Sequence, residues 1–243
     1  MSPSASVKTV DAAAAVDLLQ GWLARRLPPE ALAWLDGEIS CQREKLNERR
    51  LGMALGLVGR RVGRADLALS AADLSSAQTL RGRWRPDFWG TDEAARVALM
   101  LTTWAGDAEL FARRVEALCV TGELTEQVAC FKGFAIFPAP ARLIGPAREA
   151  VRSSIQPVFE AMACHNPYPA DHFKVEAFNQ MVVKCVFSGV PIQKIVGVDE
   201  RRNDDLLRML SDLVSERHAA GRVVPIALRE WMERDGNWRP RLR

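Results

Sequence analysis

Thr91-Asp92-Glu93-Ala94-Ala95-Arg96-Val97-Ala98-Leu99-Met100-Leu101 is the stretch from which the architecture is read. Thr91 offers an N-cap oxygen, and Asp92 and Glu93 face the positive end of a helix dipole. From Val97 to Leu101 the segment is apolar on every side, which predicts a central helix buried on most faces. Outward from it the same period continues. Asp11 to Leu27 places Val16, Leu19 and Leu23 on one face, with Pro28-Pro29 as the stop. A helix follows from Pro29 toward Glu38. Another covers Arg43 to Arg61, with Leu46, Met53, Leu57 and Val58 expected inward. Further starts fall near Ser70, Asp107, Thr121 and Pro138. The last of these starts are evenly spaced, and short helices on short loops pack antiparallel. Strand signals are nearly absent: there is one Tyr and there are few β-branched runs. The expected fold is all-α, an irregular α-α superhelix or HEAT-like stack.

The chain of 243 residues is expected to form one helical domain, with an N-terminal part over about 11–150 and a C-terminal part over about 151–235. Hydrophobic residues make up 48% and charged residues 26%, an ordinary globular balance that supports a core without staples. Net charge is only +3, with Arg spread along the chain, which argues against a dedicated nucleic-acid binder. Arg81-Gly82-Arg83-Trp84-Arg85 is basic and aromatic, but one short cluster is weak support. The seven tryptophans read as wedges between helices. Asp17 interrupts the first apolar run, so it reads as an amphipathic helix rather than a secretory segment. No window reaches the ~18 apolar residues of a membrane span. Five widely spaced cysteines with no CxxC pair predict small buried hydrophobes in a reducing cytoplasm, with neither disulfides nor zinc.

The C-terminal third has a different texture. Ser154 to Ala163 is helical and ends at Cys164-His165-Asn166-Pro167-Tyr168-Pro169, where two prolines predict an extended, rigid turn. Helices follow at Lys174 to Phe187, Asn203 to Ala219 and Pro225 to Glu233. The tail after Gly236 is basic and expected to fray. Asn179 falls inside the apolar arc of Val175, Phe178, Val182, Cys185 and Val186 and must find partners. Those are either free carbonyls of the proline turn or a polar ligand. Arg217 continues the Leu206, Leu210, Leu213 stripe. A carboxylate such as Asp199, an anionic ligand, or snorkelling to water would each satisfy it. Tyr168 suits either ligand contact or a hydrogen-bonded plug. His165, Asp171 and His172 match no metal motif, and Cys164 beside His165 lacks a third orienting group. No glycine-rich phosphate loop, GxGxxG or GxSxG is present.

His165-Asn166-Pro167-Tyr168-Pro169, Phe178-Asn179-Gln180-Met181-Val182-Val183-Lys184, Ile195 through Asn203 and Glu216 through Arg222 together resemble the C-terminal core of EboA-domain proteins. Ala94 to Leu99 and Val151 to Ser154 match more loosely. The resemblance implies a pathway rather than a reaction. Such proteins are encoded beside a prenyltransferase-like membrane protein, a dehydroquinate-synthase-like enzyme and a TIM-barrel protein. That cluster is implicated in making or exporting a secondary metabolite. The expected role is an accessory protein binding a small polar metabolite, or another pathway protein. Its ligand-binding set would be His165, Asn166, Tyr168, Asn179, Asp199, Arg202 and Arg217, between the proline turn and the last three helices, with no cofactor. The alternative is an enzyme whose His165, Tyr168, Asp199 and Arg217 surround one cavity for a phosphorylated or sulfated substrate. A pure scaffold would instead expose a large apolar patch.

Overall fold

A computed structural model describes residues 10–234. The basic tail after Gly236 lies outside the described residues. The chain divides into two compact units, Met1–Met162 and Ala163–Arg243. Among the described residues every regular element is helical, apart from one isolated antiparallel bridge between Asp66 and Gly90. The fold is all-α.

The first unit holds α1 (Ala12–Ala24), α2 (Pro29–Glu44), α3 (Glu48–Arg61), α4 (Ala71–Leu80), α5 (Thr91–Leu101), α6 (Ala108–Thr121), α7 (Leu124–Gly133) and α8 (Ile144–Arg152). A 3-10 turn at Pro140–Leu143 precedes α8, and α9 (Gln156–Ala163) follows, with all but its last residue in this unit. The starts follow side-chain chemistry. Asp11 Oδ1 accepts from the Ala13 N–H at 2.9 Å, and Asp107 Oδ1 accepts from the N–H groups of Glu109 and Leu110. Ser70 and Asp73 form a reciprocal capping box. Burial alone would raise the Asp73 pKa, but hydrogen bonds from Ser70 and Arg25 outweigh it and hold the carboxyl below its usual range.

At α5 the N-cap is Gly90, one residue before the expected Thr91. A Cβ on Gly90 would lie 2.9 Å from Asp92 Oδ1, so the cap position is shaped for glycine. Glu93 accepts from the Gly90 N–H in its place, and Lys132 of α7 pairs with Glu93 at 2.6 Å. Every residue of α5 except Glu93 is buried, and α1, α2, α3 and α7 all pack against it. Its one buried ion pair, Arg96 with Asp92 at 2.6 Å, is extended by Arg96 Nε donating to Leu55 O. Beside this core Trp22, Trp84 and Trp89 lie in series, the first pair tilted and the second edge-on, with centroids 5.7 and 5.6 Å apart. The Trp84 ring is therefore inside the unit rather than presented with its neighbouring arginines, and Arg85 pairs with Asp87.

One inward assignment is overturned. Met53 is 54% exposed and Leu57 37% exposed. The buried face of α3 is Leu51, Ala54, Leu55 and Val58, an arc rotated away from them. All five cysteines are free thiols. Cys130 and Cys185 are buried as expected, while Cys41, Cys119 and Cys164 are half-buried. The sulfurs of Cys119 and Cys130 stand 3.7 Å apart.

The second unit holds α10 (Tyr168–His172), α11 (Val175–Phe187), α12 (Asp204–Ala219) and α13 (Ile226–Glu233), with a 3-10 turn at Ile192–Lys194. The double-proline segment is not extended. Pro167 is helical at φ −73°, ψ −14°, and Tyr168-Pro169 opens α10. Proline is tolerated in a first turn, where its missing N–H has no intrahelical acceptor. Asn203 caps α12 by accepting from the Leu206 N–H at 3.0 Å.

Candidate functional site

The candidate site is assembled from the C-terminal unit, beginning with the corner before α10. His165 has φ +54°, in the left-handed region that a non-glycine residue rarely adopts. Its backbone N–H donates to Lys194 O at 2.8 Å, which fixes the corner. Asn166 is buried, and its Oδ1 accepts from the Tyr168 N–H at 3.0 Å, a local Asx turn. Tyr168 is 1% exposed, with its ring 4.6 Å from His172 and 6.4 Å from Phe173. Burial pushes its phenol pKa well above the ordinary value. His165, Asp171 and His172 are half-buried.

Asn179 lies on the buried face of α11, as its sequence context predicts. Its partner is not the backbone of the proline turn. It exchanges two hydrogen bonds with the Asn203 side chain, at 3.0 and 3.1 Å. Asn203 also donates to Arg201 O at 2.9 Å, so one amide caps α12, pairs with α11 and steadies the loop between them. The carbonyls of the turn are met by Arg201, which donates to Pro169 O and Ala170 O at 3.1 and 2.9 Å. The same guanidinium lies 4.4 Å from the Phe178 ring centroid, within cation–π range. Arg201 is absent from the expected set. The adjacent pair Arg201-Arg202 after Gly197 is the available signal, but sequence does not show that both neighbours are engaged within the unit.

Arg202 closes the other end of the unit. It donates to Trp231 O and to Met232 O, the latter at 2.7 Å, and stacks 4.7 Å over the Trp231 ring. A cation on the last carbonyls of α13 satisfies groups that have no intrahelical donor and complements the dipole. Asp199 Oδ1 accepts from Trp231 Nε1 and from Arg234, the latter at 3.0 Å.

Arg217 does not meet Asp199. Its fork reaches Phe187 O at 2.9 Å and Val186 O at 3.2 Å, at the end of α11, with a longer bond to Val223 O. The reason is positional. Arg217 sits in the last turn of α12 beside a helix terminus whose carbonyls need donors. Its Nε is buried without a partner. Asn179, Arg201, Arg202, Asn203 and Arg217 thus form a polar frame tying α10, α11, α12 and α13 by their ends. His165, Asn166 and Tyr168 shape the corner that this frame supports. The cavity arrangement expected of an enzyme has Asp199 and Arg217 acting together, whereas these two serve different helix ends. Among the described residues no three of His, Cys, Asp and Glu are placed to hold one metal ion, and no helix is long and apolar enough to cross a membrane.

A family model described as "Metabolite traffic protein EboA" matches residues 15–233. No curated protein and no solved structure matches the chain.

Proposed function

Because this chain belongs to the EboA family, we propose that it is an accessory protein of secondary-metabolite biosynthesis or export that works in the cytoplasm by binding. Its ligand is a small polar metabolite or a partner enzyme of the pathway. The binding surface is the corner of the C-terminal unit. His165 makes the contact there, the buried Asn166 and Tyr168 shape the corner beneath it, and Asn179, Asp199, Arg202 and Arg217 hold the helices that present it. The carrying observation is His165, half-buried, in a left-handed conformation on a turn that Lys194 O and Arg201 lock in place. A non-glycine residue at positive φ carries a conformational cost, and such strain gathers where a side chain must be aimed.

The test uses that strain. A strain lacking the gene reveals, by metabolite profiling, the small molecule whose level changes, and that molecule is titrated into purified protein by calorimetry. His165→Gly relieves the backbone and removes only the imidazole. The expected outcome is a melting temperature equal to or above wild type, with binding weakened about tenfold for the loss of one hydrogen-bonding ring. Unchanged affinity in His165→Gly, Asn179→Ala and Arg217→Ala together would discard the surface.

A further inference from the structure

Met53 and Leu57 are turned outward on α3, and they do not stand alone. With Ala54 they floor an open groove of about 470 Å³ whose polar rim is Glu38, Arg49 and Arg50. Arg49, Met53 and Leu57 follow one another at a spacing of four along α3, so they share one stripe of the helix. The walls are fixed. Gln42 accepts from the Asn47 N–H at 3.0 Å and donates back to Asn47 O, while Asn47 Oδ1 caps α3 through the Arg50 N–H at 2.9 Å. That corner sets the angle between α2 and α3 and holds the groove open.

The charges of the rim are unequal. Arg50 grips Glu38 with both arms of its fork, at 2.7 and 3.1 Å, and that pair is mutually neutralised. The Arg49 side chain makes no hydrogen bond or ion pair with any described residue. The groove therefore presents an apolar floor beside one uncompensated guanidinium. Its volume falls in the range of small-molecule sites, about 300–1,000 Å³. Met53 adds an adaptable, polarizable surface suited to a ligand of irregular shape.

We propose that this groove binds a small amphipathic organic anion. The apolar body lies over Met53, Ala54 and Leu57, and a carboxylate or phosphate pairs with Arg49. The groove lies in the N-terminal unit and uses no residue of the corner around His165, so either site stands or falls without the other.

The probes are decanoate, decan-1-ol and vesicles containing phosphatidylglycerol, added to full-length protein carrying methyl-labelled methionine. Decanoate below its micellar concentration is expected to shift the Met53 methyl resonance saturably and leave the buried methionines Met100, Met162, Met181 and Met232 unmoved. Decan-1-ol binds more weakly. Arg49→Gln weakens decanoate about tenfold, as expected for losing one charge-assisted contact, and leaves decan-1-ol unchanged. Arg49→Lys recovers part of the loss. Both substitutions are at an exposed position, and unchanged circular dichroism checks the fold. A silent Met53 resonance, equal affinity of Arg49→Gln and wild type for decanoate, or a shift produced by vesicles alone would each overturn the proposal.

Discussion

In the first unit α5 is wrapped by α1, α2, α3 and α7, and apart from Thr91 and the Arg96–Asp92 pair everything it buries is apolar. In the second unit α11, α12 and α13 are tied by arginine and asparagine side chains at their ends. For the two shortest helices of the second unit the difference follows from length. The eight-residue α13 and five-residue α10 offer few apolar positions each. Their unsatisfied terminal carbonyls are a large share of their polar groups, and side-chain donors reach them. Apolar packing holds a helix along its side and tolerates conservative repacking. Polar ties hold it by named atoms, and loss of one partner strands the other.

Substitutions should separate these two modes. Leu99 is fully buried in α5. Leu99→Ala should cost about 3 kcal/mol, the transfer and cavity terms together, and lower the melting transition of the first unit. Arg217→Met keeps the aliphatic stem and removes the donors on Val186 O and Phe187 O. It should cost about 1–2 kcal/mol, read as faster amide exchange at the end of α11 and not in α5.

Asp73 gives a smaller and pH-dependent effect. Its folded-state pKa is depressed, so its contribution is present above the unfolded value of about 3.9 and is lost as pH falls through the folded value. Asp73→Asn should cost about 1 kcal/mol at neutral pH. The gap to wild type should close in acid, measured by denaturant titration from neutral pH to below 3, about one unit under the unfolded pKa.

Tyr168 has the opposite sign. Its folded pKa is raised, so its contribution is present below the unfolded value of about 10 and is lost as pH rises above it. Tyr168→Phe should differ least from wild type at neutral pH and should flatten the alkaline loss of stability above about pH 10.

The legible parts of the fold were those fixed by local chemistry. Ser70, Asp107 and Asn203 were placed at or beside helix starts, and each caps its helix. Val97 to Leu101 was assigned a central position because it has no polar face, and it is buried throughout. Met53 and Leu57 read as inward in sequence because α3 has enough apolar residues for two overlapping arcs, and only the neighbouring helices choose between them. Asn179 stood out as an amide on an oily face, but its partner lies 24 residues on, at a distance in sequence that no periodicity reports. Backbone carbonyls are missing from the partners that the sequence context of Arg217 offers, because sequence displays charges and hides helix ends. The carbonyls that Arg217 binds belong to Val186 and Phe187, whose side chains carry no polar group at all.

The central physical claim is that the C-terminal unit is held by polar partners that depend on one another. A double-mutant cycle on Asn179 and Asn203, read by hydrogen exchange of α11 and α12 amides, tests it most directly. Each single change to Ala should destabilise both helices, and the second change on top of the first should cost at least about 1 kcal/mol less than it does alone. Costs that simply add would contradict the account.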